Sequence, residues 1–148
     1  MKATLGVLMA LMLGAVSAWA ALGEYESSVR ADQQMLGGTM REEVHPGYKL
    51  HQITTSNGTV VREYVSPEGK VFGIAWQGPF VPNLQQLLGT YFAELDAYAR
   101  AQTERRAGPL SIKTDDLVFA SGGHMRSYRG RAYAPKLLPN SVSAGVVQ

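Results

Sequence analysis

The densest group of chemically able side chains lies in "SGGHMRSYRGRAY", Ser121 to Tyr133, where one histidine, three arginines and two tyrosines share thirteen residues with three glycines. One chemistry available to it is acyl transfer, with Ser121 as nucleophile and His124 as base. That reaction needs the two within hydrogen-bond reach, a carboxylate such as Asp115 or Asp116 to orient the imidazole, and donors for an oxyanion. No Gly-x-Ser-x-Gly elbow occurs in the chain, and adjacent glycines at a hairpin bend need no catalytic role. The expectation is therefore that no residue is catalytic, with a small periplasmic hydrolase built on Ser121, His124 and a carboxylate as the alternative. The other chemistry is anion binding. Arg126, Tyr128, Arg129 and Arg131 alternate basic and aromatic character, and guanidinium forks suit phosphate and carboxylate. With His124 they form the candidate binding set, to which Arg62 is added below. The three histidines, His45, His51 and His124, lack any spacing typical of metal ligands, so no metal site and no cofactor is expected.

These side chains must be positioned by neighbouring elements, and the clearest is "YKLHQITTSNGTVVREYVSPEGKVFGIAW", Tyr48 to Trp76. Asn57-Gly58 suits a two-residue turn with positive φ at both positions, and Pro67-Glu68-Gly69 a type I turn closed by a left-handed glycine. Between them, β-branched and aromatic runs predict a three-stranded antiparallel meander. Placing Ser56 opposite Thr59 pairs His51 with Tyr64 and Ile53 with Arg62; the second turn pairs Tyr64 with Phe72 and Arg62 with Ile74. One face then carries Ile53, Val60, Tyr64, Phe72, Ile74 and Trp76 and is expected to be buried. Arg62 falls on that apolar face, where it needs a partner such as Glu94, Asp96 or Asp116, or a ligand anion.

The cover for this face is "PNLQQLLGTYFAELDAYARAQTERR", Pro82 to Arg106, whose apolar residues recur at three- and four-residue intervals and predict one long amphipathic helix. Gly89 within it is costly and marks a close approach to the sheet. A short helix over Ser27 to Gly38 is expected, with a serine cap and glycine stops, followed by a loop through "TMREEVHPG". Leu117 to Ala120 and His124 to Tyr133 read as a second hairpin, bent at Ser121-Gly122-Gly123 and added to the same sheet. The fold class is α+β, with residues 21–138 as one domain and 139–148 as a flexible tail.

Composition sets the compartment. Lys2, the apolar run Leu5 to Val16 and "SAWA" have the layout of a secretory signal peptide, 1–20, cut after Ala20. The apolar run is shorter than a membrane span, so no transmembrane segment is expected once the leader is cut. With no cysteine, an exported domain has no disulfide framework and depends on packing. The chain carries 14 basic and 12 acidic residues. From Ala21 to Tyr98 there are five basic and nine acidic residues, and from Ala99 onward eight and three, which makes the C-terminal part the basic one.

The blocks Gly37-Gly38, Arg62-Glu63-Tyr64-Val65, Ala75-Trp76, Gly78-Pro79, Leu87-Leu88-Gly89, Tyr91-Phe92 and Ser121-Gly122-Gly123-His124-Met125-Arg126 resemble a bacterial family of small exported proteins classed as domain of unknown function 2844. The resemblance spans about Ser28 to Leu138. It implies export and a bacterial host, and it brings no activity. The resulting expectation is a periplasmic or secreted, non-catalytic binding or interaction module. Its partner would be an envelope component or anionic ligand, and export argues against nucleic acid.

Overall fold

The computed structural model describes residues 22–102 and 108–148. Seven antiparallel strands form one sheet in the order β1-β2-β3-β4-β7-β6-β5: β1 Gly38–His45, β2 Tyr48–Thr55, β3 Val60–Val65, β4 Val71–Gly78, β5 Leu110–Lys113, β6 Val118–His124 and β7 Ser127–Tyr133. Helices α1 (Val29–Leu36), α2 (Leu84–Leu88) and α3 (Phe92–Ala101) supply hydrophobic residues to one side. The class is α+β as expected, but the arrangement differs from the sequence reading in five ways.

The meander has four strands. "TMREEVH", expected as a loop, is most of β1, which pairs with β2 along its full length from Gly38↔Thr55 to His45↔Tyr48. Its charged run Arg41-Glu42-Glu43 hides the strand from a hydrophobic reading, yet charge suits an edge strand. The C-terminal hairpin does join the same sheet, with Ile74↔Ala132 among its pairs to β4. Its bend is at Met125-Arg126, between His124 and Ser127, not at Ser121-Gly122-Gly123. Arg126 takes the left-handed conformation there, at φ 63. The short β5 extends this hairpin outward.

The register of β2 on β3 is shifted by one residue. Thr55 N–H donates to Thr59 O at 2.9 Å and Gly58 N–H to Thr55 O at 3.0 Å, so the loop is Ser56-Asn57-Gly58 with Gly58 left-handed at φ 87. Asn57 Oδ1 accepts from Thr59 N at 3.1 Å, which fixes this three-residue form. Ile53 consequently faces Val61, and Gln52 faces Arg62. The second hairpin keeps its expected pairing as far as Val65↔Val71, where a bulge places Tyr64 opposite Gly73. Arg62 therefore pairs with Ala75, and its whole period-two series moves to the other face.

The predicted long helix is interrupted. Asn83 caps α2 by accepting from Gln86 N at 3.1 Å. Gly89, at φ 52 and ψ −123, ends it, and a 3-10 turn over Gly89–Tyr91 leads into α3. Glycine tolerates that backbone where other residues do not. The C-terminal end of the predicted helix, 103–106, lies outside the described residues.

Both faces of the sheet are covered. On the helix side Ile53, Val61, Ile74, Trp76, Phe119 and Ala132 pack with Leu22, Val29, Leu87, Leu88 and Leu95. On the other side Tyr64, Phe72 and Ala75 pack with Val142 and Val147. Residues 139–148, expected as a tail, form this second cover: Val147 is fully buried, and Gln148 O accepts from the Tyr64 hydroxyl at 2.9 Å. Burial pushes the Tyr64 hydroxyl's pKa up, against the bond to Gln148, and so keeps it a donor.

Candidate functional site

Side chains two apart on one strand share a face, and β7 uses this to set Arg129 and Arg131 on the same side as Arg62 of β3. The register rows Arg62↔Ala75↔Arg131 and Val60↔Gln77↔Arg129 place these groups on either side of β4. Strands spaced about 4.8 Å apart put the Arg62 and Arg131 backbones roughly 10 Å from each other, with only the small Ala75 between. A groove of about 470 Å³ opens here; Arg62, Arg129 and Arg131 line it together with Gln77, Gly122 and Gln148. Ala120 and Ser111, also small, continue the Arg131 row outward.

Among the described residues no aspartate or glutamate side chain pairs with any of these three arginines. Arg62 donates to Gln148 O at 3.5 Å and Arg131 to Val147 O at 3.4 Å, both long bonds to the C-terminal cover. Arg129 is exposed on β7. Three cations beside small, backbone-exposing residues can receive an anionic group by forked hydrogen bonds and leave room for an attached flat body. Arg62 is not on the helix-covered face as expected, and Glu94, Asp96 and Asp116 are not its partners. Asp96 pairs with Arg100 and Asp116 with Lys136.

The rest of the candidate set is dispersed. Arg126 and Met125 form the exposed turn, and His124 is exposed at the end of β6. Tyr128 pairs with Gly123 and belongs to the face opposite Arg129. Ser121 and His124, three residues apart on β6, point to opposite faces and lie roughly 10 Å apart along the strand. No hydrogen bond or ion pair joins the His124 side chain to a serine or carboxylate among the described residues. The strand therefore does not bring Ser121 and His124 together as nucleophile and base.

A second polar cluster lies beneath α1 on the helix side, and the sequence reading missed it. The register row Glu42↔His51↔Glu63 crosses β1, β2 and β3. His51 is thus neighbour to Glu63, not Tyr64, and its Nε2 lies 2.9 Å from Glu26 Oε1. Glu26 also accepts from Lys49 Nζ at 2.7 Å, the contact that chiefly holds its carboxyl below the usual range. Deeper in, Asp32 and Glu63 are both fully buried, and Gln86 Nε2 donates to Asp32 Oδ1 at 2.5 Å. Burial pushes Asp32 up to about 7 against the Gln86 bond, and it raises Glu63 well above its ordinary value with help from the Asp32 charge. A signal was available in the sequence: Asp32 follows Val29 by one helical turn, and Glu63 sits between Val61 and Val65 in a period-two apolar series.

No helix among the described residues is long and apolar enough to cross a membrane. Neither a curated protein nor a solved structure matches the chain. Residues 18–147 match the profile of a family described as "Protein of unknown function (DUF2844)".

Proposed function

Because the chain belongs to the DUF2844 family, whose description assigns no activity, we propose its function from the groove: it is a non-catalytic exported protein that binds an anionic envelope component or ligand. The carrying observation is the convergence of Arg62, Arg129 and Arg131, without an aspartate or glutamate partner among the described residues, on one groove lined by small residues. Arginine offers several donors in a fixed plane and stays charged at any physiological pH, so it recognises carboxylate or phosphate without titrating. The long bonds to Val147 and Gln148 are weak enough for a charged ligand to replace.

Three probes carry the relevant chemistry: inorganic phosphate, bicelles containing phosphatidylglycerol, and a uronic-acid oligosaccharide. Titration of the protein with each, followed by backbone amide NMR, is expected to give saturable shifts on β7, β3 and residues 142–148 with at least one of them. The double variant Arg129→Ala/Arg131→Ala is expected to weaken that binding by about tenfold or more, the loss of two charge-assisted contacts. Arg126→Ala, in the turn, should change it less than twofold. Absence of saturable shifts with all three probes, or equal binding by the double variant, would remove the groove as the binding surface.

Export belongs to the same proposal. The leader 1–20 lies outside the described residues. Leu22, two residues past the expected cut, is buried and donates to Leu87 O at 2.9 Å, so cleavage after Ala20 leaves the packed residues intact. Cell fractionation with intact-mass measurement checks this: material beginning at Ala21 in the periplasm or medium is the expected result.

A further inference from the structure

We propose that the recess beneath α1 is a weak binding site for an imidazole-preferring divalent cation of the zinc class. Its ligands are Nδ1 of His51 and the carboxylate of Glu42, and Glu26 orients the imidazole. The recess, about 300 Å³, is lined by Glu26, Val29, Arg30, Met40, Glu42 and His51.

The tautomer follows from the contacts. Glu26 Oε1 already accepts from Lys49 Nζ at 2.7 Å and a carboxylate oxygen accepts, so the hydrogen on the His51 ring belongs to Nε2, 2.9 Å away. A neutral ring then carries its lone pair on Nδ1. The His51 side chain is 4% exposed, and Nδ1 has no hydrogen-bond partner. The polar atom facing it is Glu42 Oε2 at 3.7 Å. Two electron-rich atoms at this separation offer a place for a metal ion between them.

The spacing suits the ion. Nitrogen and oxygen ligands about 2.0–2.1 Å from a tetrahedral zinc lie roughly 3.3–3.4 Å apart. Glu42 is half-exposed and can close the small remaining gap. The carboxylate on the far ring nitrogen reproduces the carboxylate–histidine–metal arrangement that fixes ring orientation and raises its basicity. One imidazole and one carboxylate favour zinc, copper or nickel over calcium or magnesium, which prefer all-oxygen sites. Water completes the coordination from the open side. Lys49 Nζ, 3.8 Å from Glu42 Oε1, and Arg30 on the wall repel the ion and keep affinity modest.

Calorimetric titration with zinc chloride near neutral pH, paired with imidazole ¹⁵N NMR, tests the assignment. The expected result is one site in the micromolar range and a large shift of the His51 Nδ1 resonance. Glu42→Gln, a change at an exposed position, should weaken binding by about tenfold or more. Lys49→Met should tighten it by removing a like charge. His45→Ala and His124→Ala, which remove the other two imidazoles, should leave it unchanged. No binding up to millimolar zinc would overturn the proposal. Binding that ignores Glu42→Gln, or that vanishes with His45 or His124, would overturn it in favour of surface histidines.

Discussion

The midpoint of thermal unfolding is expected to fall as the pH rises from about 5 to about 8, because folding holds a proton on the Asp32–Glu63 pair that the unfolded chain gives up. Asp32 Oδ2 and both Glu63 oxygens are buried with no hydrogen-bond partner while all three act only as acceptors. A proton held by one carboxyl supplies the missing donor. Asp32 is pushed up to about 7 and Glu63 well above its ordinary value, in both cases mainly by burial. With folded pKa values above unfolded ones, the contribution is greatest in acid below the unfolded values. It is lost as pH climbs through the ordinary carboxylate range to about 7 and beyond. The Asp32 displacement alone, at about 1.4 kcal/mol per pH unit, is on the order of 4 kcal/mol. Glu26 works in the opposite sense. Its lowered pKa, due first to Lys49, adds stability that is lost only as the pH falls below the ordinary carboxylate range, so its effect lies outside this window. Glu63→Gln keeps the shape, supplies a permanent donor to Asp32 and should flatten the slope; Asp32→Asn/Glu63→Gln should abolish it. Calorimetric scans across the pH series decide the matter, and a wild-type slope retained by the double variant would dismiss the pair as its origin.

The second large effect is expected at Gly130. A Cβ there would lie 2.1 Å from Trp76 Cζ2 and 2.5 Å from Cε2. The indole cannot retreat, since it is buried and packed against Phe119 at a ring separation of 5.7 Å. Gly130→Ala therefore forces either the ring or the β4–β7 pairing to move, at a cost of about 3 kcal/mol or more. Thermal unfolding should drop by roughly ten degrees. Gly122→Ala is the control within the same hairpin: its Cβ meets only Pro109 carbons at 3.6 Å and beyond, and it should be close to neutral. Equal losses in the two variants would show that general strand flexibility, and not the indole, requires glycine.

Turn chemistry located two of the three meander hairpins, and β-branched runs located β2, β3 and β4. Face assignment failed because Asn57-Gly58 is compatible with a two-residue loop or with the three-residue loop that Asn57 Oδ1 stabilises, and the choice reverses every side chain. Hydrophobic alternation could not arbitrate, since β4 is buried at every position from Val71 to Trp76; a strand covered on both sides carries no alternation. Nor did the C-terminal segment announce itself, because Val142, Val146 and Val147 follow neither helical nor strand spacing.

The groove was partly legible. Arg129 and Arg131 stood out as an i, i+2 basic pair, and their common face follows from strand geometry. That Arg62 joins them depends on the corrected register and could not be foreseen from the turn alone. The position of Glu63 between Val61 and Val65 was the one local sign of this cluster; that Glu42, His51 and Glu63 meet in a row depends on three strands, one of them read as a loop.

The contact between Trp76 and Gly130 also equips the protein with its own optical probe. Of the two tryptophans, Trp19 falls within the proposed leader, so a chain cut after Ala20 would emit from a single indole. That indole is 2% exposed, and its N–H is without a hydrogen-bond partner. Its emission should begin far to the blue and move red as the helix layer separates from the sheet. Because the indole packs on the helix side while Arg129 and Arg131 face the other, the signal reports the integrity of the helix layer separately from events in the groove, without any label.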